Sequence, residues 1–107
     1  MEMLCTTDQI DERDARSFDT PVGEVIVAQR DGQFFAYKNS CPHLGISLEF
    51  QEQQFMDMDR EYFLCSNHGA LFRIEDGQCV FGPCLNEHLT AVPIQVHSDG
   101  KIFLLNV

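Results

Sequence analysis

Two short stretches of the chain each place one cysteine and one histidine within a single turn. The first carries Cys41 and His43 on either side of a proline, and the second carries Cys65 and His68 around a serine and an asparagine. At these spacings a turn can aim a thiolate and an imidazole at a common point, and a glycine after each histidine permits close backbone approach. The four side chains together predict a metal centre with two cysteine and two histidine ligands.

Two kinds of metal centre use such a ligand set. One is a tetrahedral zinc ion, and the other is a 2Fe-2S cluster in which both histidines bind one iron and both cysteines bind the other. Zinc fingers usually pair cysteine with cysteine along the chain, whereas here each turn supplies one ligand of each kind. This arrangement favours the cluster, because two loops that each touch both metal ions suit a pair of irons. A zinc site remains the alternative.

The composition narrows the class of protein further. The chain holds 17 acidic and 7 basic side chains, for a formal net charge of -10. Such a charge repels nucleic acid and anionic membranes and attracts a basic protein surface, although solubility alone would also account for it. Five cysteines without an export signal argue against a disulfide framework and favour roles as metal ligands or thiols.

The length of 107 residues fits one compact domain, 1–107, and leaves no room for a second catalytic domain. No apolar run approaches the ~20 residues of a membrane-spanning helix, and the N-terminal residues lack the pattern of a signal peptide. We therefore expect a cytoplasmic monomer that binds neither nucleic acid nor a membrane.

Three Asp-Gly pairs, at 31–32, 76–77 and 99–100, stand between short apolar segments. Asp-Gly tolerates the positive φ angles of a tight hairpin turn. The flanking segments are rich in Val, Ile, Phe or Leu and predict three antiparallel hairpins, formed by 24–30 with 33–38, 70–75 with 78–81, and 91–97 with 101–107. No stretch has the periodicity of a capped helix, so the predicted fold class is all-β.

The remaining segments are less regular. Residues 6–20 are polar and charged, and we interpret them as an irregular leader or a short turn of helix. Residues 40–69 form an insertion that carries both candidate ligand pairs, and the alternation from Phe55 to Arg60 within it predicts one short strand. We take 40–84 as a cluster-binding subdomain within the single domain.

With these motifs the sequence resembles the Rieske ferredoxin family, whose pattern is Cys-x-His, a gap of about 15 to 25 residues, and Cys-x-x-His. The second pair continues into Gly69 and Ala70 much as in the family, and Gly82 with Pro83 stands where the family has a proline loop over the cluster. The resemblance covers about 22–107. It implies a Rieske-like fold in which antiparallel hairpins form a β-sandwich with a small inserted cluster-binding subdomain.

The resemblance also implies a role for each ligand of one Rieske-type 2Fe-2S cluster. Cys41 and Cys65 would hold the inner iron, and His43 and His68 the outer iron nearer solvent. Because neutral imidazole replaces thiolate at one iron, the cluster carries less negative charge, and its potential lies above that of an all-cysteine cluster.

Three positions depart from the high-potential members of the family. Ile46 and Asn67 stand where those members carry a pair of disulfide-bonded cysteines, and Ala70 stands where they carry a serine whose hydroxyl donates to a bridging sulfide. Fewer donors to the sulfurs leave the reduced cluster less stabilised. The resemblance therefore implies a soluble, low-potential ferredoxin, toward the lower end of the range of about −150 to +300 mV for Rieske clusters.

The function that the resemblance implies is electron carriage, not catalysis. The chain would accept an electron from a reductase, one that contains a flavin, and pass it to a terminal oxygenase or a similar enzyme. Two alternatives stay open. One is a small subunit of a complex related to nitrite reductase, and the other is a zinc-stabilised interaction module without a redox role.

Residues outside the paired motif receive plainer interpretations. Cys5 and Cys79 are thiols without an assigned role, Cys84 is a small buried apolar residue, and His88 and His97 are not expected to bind metal. The two methionines at 56 and 58 and the phenylalanines of the strand segments are assigned to ordinary packing and the core: Met56, Met58, Phe34, Phe35, Phe63, Phe72, Phe81 and Phe103. An acidic group is our candidate for docking a basic partner: Glu49, Glu52, Asp57, Asp59 and Glu61.

Overall fold

A computed structural model describes residues 2–40, 48, 54–65, 69–82 and 87–105. Within these ranges the chain forms strands and one three-residue 3-10 turn, Thr7–Gln9, and has no α-helix. None of its helical segments there is long and apolar enough to cross a membrane. The strands are β1 Glu2–Thr6, β2 Asp14–Thr20, β3 Gly23–Arg30, β4 Gln33–Lys38, β5 Tyr62–Cys65, β6 Ala70–Arg73, β7 Cys79–Phe81, β8 Ile94–Val96 and β9 Lys101–Leu104. The predicted all-β class is confirmed; the cytoplasmic location stays a prediction.

The strands form three antiparallel sheets with the orders β1-β9-β8, β2-β3-β4 and β5-β6-β7. The second sheet is the middle layer. Because side chains alternate across a strand, Val25 and Val27 of β3 face the core shared with Ile102 and Leu104 of β9, whereas Ile26 and Ala28 face the core shared with Phe72 of β6. β3 is therefore buried on both faces. The sheet β5-β6-β7, which contains Cys65, packs on one of these faces.

The predicted hairpins are present, with loops of different lengths. Asp31 and Gly32 have φ values of 54° and 76° and form a two-residue loop between Arg30 and Gln33, as Asp-Gly favours. The third hairpin is shorter than predicted, because residues 90–92 pair with the edge of β4 before β8 begins: the Lys38 N–H donates to the Thr90 carbonyl at 2.9 Å. This pairing covers an edge that would otherwise be open.

The prediction of an irregular segment or a short turn of helix holds for residues 7–13, which include the 3-10 turn Thr7–Gln9, and is wrong for residues 14–20. β2 occupies Asp14–Thr20 and pairs with β3 along all seven of its residues, from Asp14 opposite Gln29 to Thr20 opposite Gly23. Of the strand's side chains, that of Ala15 is buried. Its other positions are exposed or half-buried, so polar residues are tolerated and the pairing partner, not composition, makes the segment a strand.

The short strand predicted from Phe55 to Arg60 is also wrong. Met56 makes a single bridge to Phe63, and the chain then turns. Within this turn the Asp57 carboxylate accepts the N–H groups of Glu61 at 2.9 Å and Tyr62 at 3.2 Å. A side chain that binds nearby backbone N–H groups competes with a ladder, and the strand accordingly begins at Tyr62.

Candidate metal centre

Cys65 is the predicted ligand that lies within the described residues, and it ends β5. Its side chain is 1% exposed. The chain reverses after it: the Gly69 N–H donates to the Cys65 carbonyl at 3.1 Å, Gly69 has φ +68°, and Cys65 is paired with Ala70 of β6. Cys65 thus lies at the closed end of the β5–β6 hairpin. Cys41, His43 and His68 lie outside the described residues, so the ligand set as a whole stays a prediction.

The first ligand pair begins three residues past the end of β4. Asn39, between the strand and Cys41, accepts the N–H of Leu48 at 2.9 Å through its side-chain oxygen. Leu48 is fully buried and belongs to the same apolar cluster as Cys65. The segment that carries Cys41 and His43 therefore starts and ends against the core that also contains Cys65.

A third part of the chain approaches the same hairpin at Gly82. Gly82 has φ +108°, and a Cβ atom there would lie 2.8 Å from the Cα and 3.0 Å from the Cβ of Ala70. Such a contact with a backbone atom is shorter than a side chain permits, so only glycine fits without a shift. The strand β7 thus ends directly against the residue that follows the second ligand turn. Pro83 and Cys84 lie outside the described residues.

Comparison with known proteins identifies the family of this fold. A family model described as the Rieske [2Fe-2S] domain matches residues 1–98. The chain belongs to the Rieske [2Fe-2S] domain family. The family supplies one Rieske-type 2Fe-2S cluster as the cofactor, and it makes the chain an electron carrier and not itself an enzyme. The zinc module fits these findings less well than the cluster.

Three relatives illustrate the family. The ferredoxin component of the alkene monooxygenase system of Xanthobacter autotrophicus Py2 is 28% identical over 101 residues, which are 94% of this chain and 77% of that protein. The fold resembles the ferredoxin of carbazole 1,9a-dioxygenase from Nocardioides aromaticivorans IC177, with 21% identity, 97% coverage of each chain and a TM-score of 0.76. It also resembles a chain of a complex of reduced oxygenase and oxidised ferredoxin in carbazole 1,9a-dioxygenase, with 19% identity, 95% and 90% coverage and a TM-score of 0.74.

The described part of this Rieske domain fits a 2Fe-2S cluster. A buried thiol at a chain reversal suits the iron that is shielded from water. The residues around the reversal that are described, Gly69, Ala70 and Gly82, are small, and they allow the β7 end to come within contact distance of the hairpin. Elsewhere among the described residues, no three His, Cys, Asp or Glu side chains converge on a point that could hold a metal ion.

The other cysteines and histidines of the described ranges have local contacts. Burial raises the pKa of the Cys5 thiol to about 11, so it stays protonated at neutral pH. The Cys79 thiol donates to the Phe81 carbonyl at 3.2 Å. His88 Nδ1 lies 3.1 Å from the Leu89 carbonyl oxygen, and His97 Nε2 lies 3.1 Å from a side-chain oxygen of Gln95.

Two residues assigned to the core are exposed. Phe63 and Phe72 are fully buried, as predicted, but Phe81 is 63% exposed and Met58 is fully exposed. Phe81 is at the end of β7, beyond the part of that strand that pairs with 87–88, and Met58 lies in the turn before β5. Among the described residues neither position faces another layer of the fold, and alternation along a sequence does not reveal this.

The structure describes three of the five residues of the acidic docking group, Asp57, Asp59 and Glu61. Glu49 and Glu52 lie outside the described residues. Glu61 pairs with Arg13 at 2.6 Å and with Arg30 at 2.7 Å. It precedes β5, so about four residues, or roughly 13 Å of extended chain, separate it from Cys65. Glu61 therefore has two cationic partners of its own, and Asp57 accepts two backbone N–H groups through one of its carboxylate oxygens.

Glu61 gives the stability of the domain a dependence on pH. Hydrogen bonds from Arg30 and then Arg13 hold the pKa of Glu61 below its usual value of 4.5. A carboxylate with a lowered pKa stabilises the fold fully above its unfolded pKa, and the contribution is lost as the pH falls through the folded pKa. In urea unfolding, the free energy of unfolding of the wild type should fall as the pH drops below about 4.5, and we expect a smaller fall for Glu61→Gln. An equal fall in the variant would contradict this linkage.

Proposed function

We propose that this chain takes single electrons from a flavin-containing reductase and delivers them to a terminal oxygenase, and that Cys41, His43, Cys65 and His68 hold its cluster. The observation that supports the ligand set is the common core beneath both pairs: Leu48, bound to Asn39, belongs to the same buried cluster as Cys65. Two segments that start from one core can direct four ligands to one place.

The four residues divide into two kinds of ligand. Cys41 and Cys65 hold the inner iron, and His43 and His68 hold the outer iron, where neutral imidazole lowers the negative charge. The cluster, when bound, supplies a centre that gains and loses one electron at a time. The protein contributes the buried position of Cys65 and the fixed reversal that follows it, and both limit rearrangement during electron transfer.

We propose an oxygenase as the electron acceptor because related proteins occur in oxygenase systems and complexes. One relative is the ferredoxin component of an alkene monooxygenase system, and one solved relative is part of a complex between an oxygenase and a ferredoxin. The net charge of -10 suits a partner whose contact surface is basic. A subunit related to nitrite reductase has no such support.

The ligand proposal is tested by the colour, metal content and EPR spectrum of the purified chain. A 2Fe-2S cluster gives a red-brown protein with two irons per chain, and nitrogen ligation gives the dithionite-reduced form a lower average g value than an all-cysteine cluster. A colourless protein with one zinc per chain and a silent spectrum would refute the proposal.

Electron delivery should weaken as salt rises. The acidic chain and a basic partner attract each other over distances that salt screens, with a Debye length of about 10 Å at 0.1 M. We expect the rate constant for oxygenase reduction, measured below saturation by stopped-flow absorbance, to fall steadily with ionic strength. An uncharged oxidant serves as the control and should react at an unchanged rate. Equal salt responses for the two would contradict electrostatic docking.

The reduction potential should be low for a Rieske cluster. The Ala70 side chain is a buried methyl group and offers no hydroxyl to a sulfide. We expect a midpoint in the lower part of the range of about −150 to +300 mV, and Ala70→Ser should raise it. A hydrogen bond of about 1 kcal/mol that forms only on reduction should raise the potential by about 40 mV. This follows because a tenfold change in the equilibrium constant of a one-electron couple corresponds to about 59 mV. A wild-type midpoint well above zero contradicts this prediction.

A further inference from the structure

Asn39 is a buried amide in a core whose other described side chains are mostly apolar. It follows β4 and precedes Cys41 by two residues. Its side-chain oxygen accepts the Leu48 N–H at 2.9 Å, its side-chain nitrogen donates to the Glu24 carboxylate at 3.0 Å, and its backbone N–H donates to the Glu24 carbonyl at 3.0 Å. A polar group buried at such a position needs these partners, since leaving it unpaired would cost its full desolvation penalty.

The bond between Asn39 and Leu48 joins two points nine residues apart, and the segment between them contains Cys41 and His43. It therefore closes the base of the first ligand segment. Leu48 is in turn fixed by full burial in the cluster that contains Cys65. The Asn39 amide thus links the segment that contains Cys41 and His43 to the buried cluster that contains Cys65.

Glu24 determines which way the amide faces. An ionised carboxylate can only accept hydrogen bonds, and a backbone N–H can only donate. With Glu24 on one side and the Leu48 N–H on the other, the nitrogen of Asn39 must face Glu24 and its oxygen must face Leu48. The two side chains therefore act as one unit. Glu24 lies near the start of β3 and Asn39 directly after β4, so both are at the open end of the β3–β4 hairpin.

We propose that Asn39 and Glu24 are positioning residues for the first ligand pair and set how long the cluster is retained, without binding iron themselves. The inference rests on the proposed ligand roles of Cys41 and His43. A ligand segment whose base is closed by a hydrogen bond has less conformational entropy to lose when it binds metal, so the bound state is favoured.

Asn39→Asp tests this inference with a change of one atom. The aspartate keeps an oxygen for the Leu48 N–H but sets a second carboxylate against Glu24. We expect the cluster to be lost about tenfold faster in the presence of an iron chelator, the factor that one buried hydrogen bond commonly carries. The decay of visible absorbance measures the rate, and urea unfolding of the cluster-loaded protein measures the accompanying change in stability.

Gln29→Glu is the matched control, because it makes the same chemical change at a distance from the ligand segments. The Gln29 side-chain nitrogen donates to the Ile10 carbonyl at 2.6 Å, so a carboxylate there also faces an acceptor. This variant should lose stability but keep the wild-type rate of cluster loss. Equal acceleration in the two variants would mean that general destabilisation is responsible, which would overturn the inference.

The double variant Asn39→Asp with Glu24→Gln exchanges the amide and the carboxylate and restores the hydrogen bond in the reverse direction. It should recover the slow cluster loss and the wild-type EPR spectrum. Failure of this rescue overturns the inference, as does a cluster that persists equally well in Asn39→Asp. A wild-type chain that binds no cluster overturns both this inference and the proposed function, so the two failures are distinguishable.

Discussion

Alanine in place of Cys65 should give a folded but colourless protein. In the proposed ligand set the inner iron has two protein thiolates, and the variant removes one of them from a site that is 1% exposed. Water cannot readily replace a thiolate at such a buried position, so we expect the cluster to be lost nearly completely. Iron and sulfide per chain, together with visible absorbance, measure the loss. Retention of a full cluster would show that Cys65 is not a ligand.

Cys79→Ala provides the comparison that separates ligation from packing. Cys79 is 2% exposed and lies on β7, in the same sheet as Cys65, so its removal opens a similar small cavity. Its thiol donates to the Phe81 carbonyl, and the variant should lose about 1 kcal/mol of stability. The colour should stay. A colourless Cys79→Ala variant beside a coloured Cys65→Ala variant would reverse the assignment.

The parts of the fold that could be predicted from the sequence are those with local causes. The hairpin between β3 and β4 follows from Asp31 and Gly32, because both adopt positive φ and two such residues make the tight turn. The chain reversal after Cys65 also has a local cause, since Gly69, which adopts positive φ, lies within a few residues of it. Such features depend on neighbours along the chain, which the sequence displays directly.

The parts that could not be predicted depend on partners far away in the sequence. β2 is a strand because β3 pairs with it, although its own residues are largely polar. The acidity of Glu61 is visible in the sequence and predicts a docking residue, but its ion-pair partners Arg30 and Arg13 are 31 and 48 residues away, so the sequence does not reveal these pairs. Charge alone does not show whether a side chain is already paired.

The same limit applies to the candidate metal centre. The sequence predicts by spacing that Cys65 is a ligand, but the contacts that support this residue are ones that no spacing rule describes. The bond from Asn39 to Leu48 crosses the first ligand segment, and Gly82 meets Ala70 from another strand. The one signal for Gly82 was its place before Pro83, which suggested a loop near the cluster but not a close backbone contact.

That contact leads to the second large effect, which is expected for Gly82→Ala. The variant must place a Cβ atom 2.8 Å from the Cα of Ala70, at a backbone φ of +108° that L residues rarely adopt. The backbone conformation costs about 1–2 kcal/mol, and the forced shift adds roughly 1–3 kcal/mol. Because Ala70 directly follows the second ligand turn, the shift should also shorten the lifetime of the cluster. Urea unfolding and the decay of visible absorbance measure the two effects.

Gly23→Ala isolates the contribution of the contact. Gly23 has φ +104°, nearly the value of Gly82, but no atom of the described residues lies within 4 Å of a Cβ built there. This control should carry the conformational cost alone and keep the wild-type cluster lifetime. If the two variants lose equal stability, the approach of Gly82 to Ala70 contributes nothing. Adding Ala70→Gly to Gly82→Ala should relieve only part of the loss, because the nearest obstacle is the Cα of residue 70 and not its methyl group.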